Sequence, residues 1–259
     1  MNPLKKALVL ALVLAPILAS AAEAAGGTIT YEAGGETVRA YLAKPDAPEN
    51  RAAVVIVHHM WGLDSHTMTI ADRFAGQGYL AVAPDLYRGK LGADYGLAQE
   101  MMDRLDQARA VAIVKGAIGY LRSLDGGKTD RPVALVGFDM GGQVALAAAL
   151  QKANAQALVI FYGHVETSKE ALMPIQMPVL GVFGTDDVVV RPDEAKKFEA
   201  ALKEAGKQAT IIIYRGMAHA FFDDSRPDFE PELGKDAWIR TRDFLAAALG
   251  TATPAPPAP

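Results

Sequence analysis

Asp139, Asp187 and His219 are the residues whose types and placement could do chemistry together, since each follows an apolar run with the length of a buried strand. A carboxylate nucleophile, an imidazole base and a second acid to orient the base are the parts of a covalent hydrolytic site. Asp139 is the central residue of Gly137-Phe138-Asp139-Met140-Gly141-Gly142, set between the run Pro132 to Phe138 and an Ala-rich segment of high helix propensity. Strand, sharp turn and helix with flanking glycines is the layout of a nucleophile elbow, although a carboxylate there could equally cap the helix that follows. Asp187 alone reads as a turn residue, and His219 alone as a satisfied loop histidine. Together, at successive strand ends and in the order nucleophile, acid, base, they read as a triad.

The chemistry open to Asp139 divides by the carbon attacked. A carboxylate with a pKa of ~3.9 is already an anion at neutral pH and needs no base to activate it. At an acyl carbon it is a poor nucleophile, because the adduct expels it again in preference to an alkoxide. At an alkyl carbon, an epoxide or a carbon–halogen centre, displacement gives an ordinary ester that His219, held by Asp187, could cleave with water. Asp139 could also act as a general base, or the chain could be an inactive binding protein.

Other clusters are weaker. His58 and His59 invite a metal reading with His66 nearby, but adjacent histidines at a strand end point to opposite sides and no third ligand has suitable spacing. No metal and no cofactor are expected. A net charge of -4 and the lack of a basic cluster interleaved with aromatics argue against nucleic acid as a partner. The absence of cysteine removes disulfides, thiolate metal sites and any Cys nucleophile.

The elements that must position these residues follow from pattern. Alternation predicts a hairpin over 28–32 and 37–43, and continuous apolar runs predict buried strands at 52–57, 79–83, 132–138, 157–162, 179–183 and 210–214. Helices are predicted over 67–77, 94–124, 192–205 and 235–249, and one follows the elbow. The alternation implies an α/β fold, a mostly parallel sheet covered on both faces. Met1 to Ala24 has a basic start at Lys5 and Lys6, a short apolar core and A-x-A sites, which describes a secretory signal peptide; a membrane anchor is the rival reading. The expected product is an exported, periplasmic or secreted protein without stable membrane insertion. Its domain would span 25–250, with a Pro/Ala-rich tail at 251–259 and a monomeric or small homo-oligomeric state.

Val57 to Gly62, Ala83 to Gly89, the elbow, Gly184 to Val190 and His219 to Phe222 together resemble the dienelactone hydrolase family over about Thr28 to Leu249. The resemblance implies an α/β-hydrolase fold without a large cap domain, and hydrolysis of a small-molecule ester or lactone. Asp187 corresponds to the family's acid and His219 to its base, and the backbone N–H groups of Met60 and Met140 fall where its oxyanion hole would be. Asp139 stands where the family has Cys. His59 replaces a frequent Glu, and Asp223 stands where an arginine would grip a substrate carboxylate, with Arg88 nearby. His59, Trp61, Tyr87, Arg88 and Phe221 are the expected pocket residues; Tyr162, His164 and Phe222 also follow strand ends and could wall an apolar cleft. The elbow alone is similar to that of epoxide hydrolases and haloalkane dehalogenases.

Overall fold

The computed structural model describes residues 26–46, 52–124, 130–226 and 229–251. The signal-peptide segment and all of the tail except Thr251 lie outside these residues. Eight strands form one sheet: β1 (Gly27–Ala33), β2 (Glu36–Ala43), β3 (Ala53–Val57), β4 (Leu80–Pro84), β5 (Val133–Phe138), β6 (Ala157–Phe161), β7 (Val179–Gly184) and β8 (Ala209–Tyr214). Their order is β1-β2-β4-β3-β5-β6-β7-β8. The β1–β2 and β2–β4 pairs are antiparallel, and every pair from β4 through β8 is parallel.

The strands β3, β5, β6 and β7 are buried at every position, which is why they read as unbroken apolar runs. Their alternate residues feed two cores. Val55, Leu135 and Ile160 face one cluster with Val114 and Val144; Ile56, Val136 and Val159 face the other with Phe74 and Trp238. Helices α1 (Ser65–Ala75) and α7 (Pro231–Leu249) cover the second face, and α3 (Gln107–Ser123), α4 (Met140–Leu150) and α6 (Pro192–Glu204) cover the first. The remaining helices are α2 (Tyr95–Asp103) and the short α5 (Lys169–Leu172).

Most boundaries fall within two residues of the sequence expectation, and two depart from it further. The long helix over 94–124 is two helices, because Asp106 takes a β conformation and its side chain accepts from the Arg109 N–H, capping α3. Helix α7 begins at Pro231, four residues before its predicted start, with proline at a position where no intrahelical N–H is needed. Among the described residues no helix is long and apolar enough to cross a membrane.

The parallel strands all direct their carboxyl ends to one rim, and crevices at that rim are where open α/β sheets place ligands. Asp139 follows β5 there, Tyr162 follows β6, Asp187 lies beyond β7 and His219 beyond β8.

Candidate active site

The turn that carries Asp139 is tight. Asp139 has φ 53° and ψ -121°, and its side chain makes no capping hydrogen bond to α4, so the helix-cap reading does not hold. A Cβ on Gly137 would stand 2.2 Å from the Gly141 carbonyl oxygen, and one on Gly141 would stand 2.1 Å from that of Val57. Only glycine lets β5, α4 and the loop after β3 approach this closely, and that approach presses the elbow against the Met60 loop. The positive φ of Asp139 is a strained conformation for a residue with a Cβ, of the kind that persists where surrounding structure over-determines it.

The three sequence-predicted residues come together. His219 Nδ1 lies 2.9 Å from Asp187 Oδ2, and its Nε2 lies 3.2 Å from Asp139 Oδ1. Asp187 is 2% exposed, and its other oxygen accepts from the N–H groups of Val189 and Val190, both at 2.8 Å. Those two bonds fix the carboxylate and leave Oδ2 for the imidazole. The histidine loop is tied to the acid loop by Asp186 N–H to Met217 O at 3.0 Å and Gly216 N–H to Thr185 Oγ1 at 2.8 Å.

The second oxygen of Asp139 is held as well. Met60 N–H donates to Asp139 Oδ2 at 3.1 Å, and the Met140 amide also stabilises the carboxylate. The two amides expected to bind an oxyanion thus bear on Asp139 itself. Burial would raise the Asp139 pKa, but His219 and these two amides outweigh it and hold the group below the usual carboxylate range. Burial likewise disfavours the His219 cation, yet hydrogen bonds to Asp139 and Asp187 push its pKa up to about 9. The resting site is therefore a carboxylate, an imidazolium and a second carboxylate in a row.

His58 holds the floor of the Met60 loop. It is fully buried, its Nδ1 lies 2.7 Å from the His59 carbonyl, and its Nε2 accepts from the Leu86 N–H at 3.1 Å. That pattern requires the neutral ring, and burial brings its pKa down to about 4. An unfolded histidine protonates near 6.5, so the unfolded state binds the extra proton in the window between. Stability contributed by neutral His58 is therefore present above pH 6.5 and lost as pH falls towards 4, by ~3 kcal/mol. For His219 the sign is opposite: its contribution is full below 6.5 and lost as pH rises through about 9. Urea denaturation across this range is expected to show both limbs, the acid one flattened in His58→Gln and the alkaline one in His219→Gln.

The expected pocket residues divide. His59 and Tyr87 are each 8% exposed beside the elbow, and the Tyr87 hydroxyl points to Met140 Sδ at 3.0 Å. Trp61 is half-buried and accepts from the Gly92 N–H through its carbonyl at 2.9 Å. Arg88 is largely exposed and pairs with Glu36 at 3.0 Å, an acid that also holds Arg109. Phe221 and Phe222 are core residues: Phe221 packs on Tyr162 and Tyr214, and Phe222 on Phe138 and Phe161. His164 lies exposed against Glu194. The partners that spacing did not reveal for His66 come from the loop beyond His219. Its Nδ1 is 3.4 Å from Asp223 Oδ1 and 3.3 Å from Asp224 Oδ1, so these three residues could hold a cation.

An aspartate at the strand–helix elbow, with a second acid and a histidine beyond successive carboxyl ends of a mostly parallel sheet, is the arrangement of an α/β-hydrolase fold. The model of the dienelactone hydrolase family matches residues 38–249, and the chain belongs to that family of carboxymethylenebutenolidase-like hydrolases. A Yersinia pestis protein described as a putative carboxymethylenebutenolidase is 32% identical over 244 residues, 89% of this chain and 91% of that protein. A Saccharolobus solfataricus protein of the same description is 28% identical, covering 84% of this chain and 96% of its own. The crystal structure of a putative dienelactone hydrolase from Klebsiella pneumoniae superimposes with a TM-score of 0.77 at 26% identity, over 88% of this chain and 99% of that one.

Proposed function

We propose that this hydrolase acts on a small organic electrophile by forming an alkyl ester on Asp139 and cleaving that ester with water activated by His219. The observation that carries the reading is the division of the Asp139 carboxylate, with Oδ1 toward His219 and Oδ2 on the Met60 amide. Oδ1 displaces the leaving group from an alkyl carbon, and Oδ2 becomes the carbonyl oxygen of the ester. Water then attacks Cγ, and the negative charge of the tetrahedral adduct develops on the oxygen already facing an amide donor.

Esterification also prepares the base. In the resting site the Asp139 and Asp187 charges keep His219 protonated at neutral pH, where it cannot accept a proton from water. Consuming the Asp139 charge removes part of that stabilisation, and the imidazole can then lose its proton and serve as general base. The covalent step itself supplies the signal to activate water.

The family match favours a second reading, hydrolysis of an ester or lactone through acyl transfer. That reading requires the Asp139 side chain to leave the amides to a substrate carbonyl, and a carboxylate nucleophile then forms a labile anhydride. Bromide release from 1-bromohexane against hydrolysis of 4-nitrophenyl acetate separates the two. The proposed function predicts saturable bromide release that Asp139→Asn lowers by ~10⁴-fold or more. Turnover of the ester alone, with His219-dependent kinetics, supports acyl transfer. The Met1 to Ala24 segment supports an exported, periplasmic or secreted location, and the partner is the small-molecule substrate.

A further inference from the structure

Among the described residues, the ligand atoms of His66, Asp223 and Asp224 converge at a place the triad does not use. They come from two segments. His66 lies in the first turn of α1, which Asp64 caps through the Thr67 N–H and which follows the Met60 loop. Asp223 and Asp224 lie in the turn beyond His219, where the Asp223 N–H donates to the Ala220 carbonyl at 3.0 Å.

His66 anchors the group. Its side chain is 8% exposed and makes no hydrogen bond among the described residues, whereas a buried polar group ordinarily finds a partner. Its Nδ1 faces Asp223 Oδ1 at 3.4 Å and Asp224 Oδ1 at 3.3 Å, and neither contact is a hydrogen bond. An imidazolium paired with these acids would turn its N–H onto one of them. A shared ion explains both the spacing and the misalignment. A tetrahedral ion ~2.05 Å from each ligand atom holds those atoms ~3.3–3.4 Å apart, with each oxygen ~35° off the nitrogen's lone-pair axis. An octahedral magnesium ion at ~2.1 Å would bring neighbouring ligands to ~3.0 Å, and calcium takes oxygen ligands.

The surroundings match. The Ser225 N–H and hydroxyl donate to Asp223 Oδ1 at 3.0 and 2.6 Å, holding that carboxylate as outer hydrogen bonds hold a metal ligand. Asp224 is half exposed and makes no hydrogen bond among the described residues, and the three ligand atoms all lie within 4.8 Å of one another, so its carboxylate can turn to close the site. The His59 ring stacks on His66, with centroids 6.0 Å and planes 20° apart, and covers one face of it. Two carboxylates and a neutral imidazole leave a local charge that a divalent cation balances.

We propose that these three side chains bind a divalent transition ion of the zinc class, with solvent completing the tetrahedron, and that the ion clamps the His219 turn to the start of α1. An imidazole with two carboxylates is a donor set that zinc accepts. The loop before α1 carries the Met60 amide that holds Asp139, so the ion joins two loops of the catalytic site. It contributes order and stability and touches no reacting atom. The site does not depend on the chemistry assigned to Asp139.

The test uses the full chain purified without a histidine tag and stripped with chelator. Zinc uptake is measured by titration calorimetry, cobalt serves as a spectroscopic probe, and thermal unfolding is followed with and without zinc. The expected result is one ion per chain with an intense tetrahedral cobalt band in the visible. The unfolding midpoint should rise by ~5 °C at a zinc concentration ~100-fold above Kd. His66→Gln and Asp224→Asn should each weaken uptake by ~10²-fold or more. His164→Gln, at an exposed histidine beside Glu194, should leave uptake unchanged. Asp224 lies at the surface, so its replacement keeps the readout even if His66→Gln does not fold. Uptake that survives Asp224→Asn at full affinity would be an adventitious ion only and would overturn the proposal. No uptake would mean that His66 and the two acids form a plain ion pair, and a weak octahedral cobalt spectrum would exclude the tetrahedral site; either result overturns it too.

Discussion

His219→Gln is expected to stop turnover after one event and to accumulate an ester on Asp139. The substitution removes the imidazole whose Nε2 faces the Asp139 carboxylate, while Asp139 keeps its charge and the Met60 amide. Displacement at carbon therefore still proceeds, and hydrolysis slows by ~10³-fold or more. With 1-bromohexane the readout is a burst of about one bromide per active site, stoichiometry following from the single nucleophile. A mass increase of one hexyl group maps to the peptide carrying Asp139. An enzyme that used Asp139 as general base would lose activity in the same variant but show neither burst nor adduct.

Asp139→Cys is expected to exchange one chemistry for the other. Cysteine places one reacting atom near His219 and has no second oxygen to hold against the Met60 amide, so both oxyanion donors become free for a substrate carbonyl. Each such donor contributes ~10²–10³ in rate where it binds the developing charge. Hydrolysis of 4-nitrophenyl acetate should rise by ~10²-fold or more over the Asp139 enzyme, with a burst of nitrophenol. Alkyl electrophiles should instead inactivate the variant, because the thioether they form has no carbonyl for water to attack. Recovery of steady bromide release by Asp139→Cys would contradict the ester mechanism.

Both expectations depend on a detail that residue types alone did not reveal. The positions of Asp139, Asp187 and His219 were legible because a parallel strand buried on both faces is an unbroken apolar run with a visible end. The two amides were legible only through resemblance. The division of the Asp139 oxygens was not, since Met60 arrives from a different strand 79 residues earlier and the contact depends on how closely Gly141 lets that loop approach. His58 shows the same limit: its spacing argued against a metal ligand without giving it another task, and its actual one, joining the His59 carbonyl to the Leu86 amide, follows from β4 lying beside β3.

Local pattern also merged what a cap divides. Apolar periodicity runs on through Arg104 and Leu105, and the acceptor bond of Asp106 to the third residue beyond separates α2 from α3. Tyr162 was readable as an aromatic at a strand end that could wall an apolar cleft. Its left-handed backbone and its place beside Asp139 belong to the β5–β6 pairing, which exists only once the sheet has formed.

The most direct test of the covalent role of Asp139 is a single turnover of 1-bromohexane, with enzyme in excess, in water enriched in oxygen-18. Attack of water on the ester carbonyl carbon predicts that the label enters the Asp139 carboxylate while the hexanol carries an oxygen from the enzyme. Label found in the hexanol and absent from the Asp139 peptide would mean that water attacked the substrate directly, and the covalent account would be wrong.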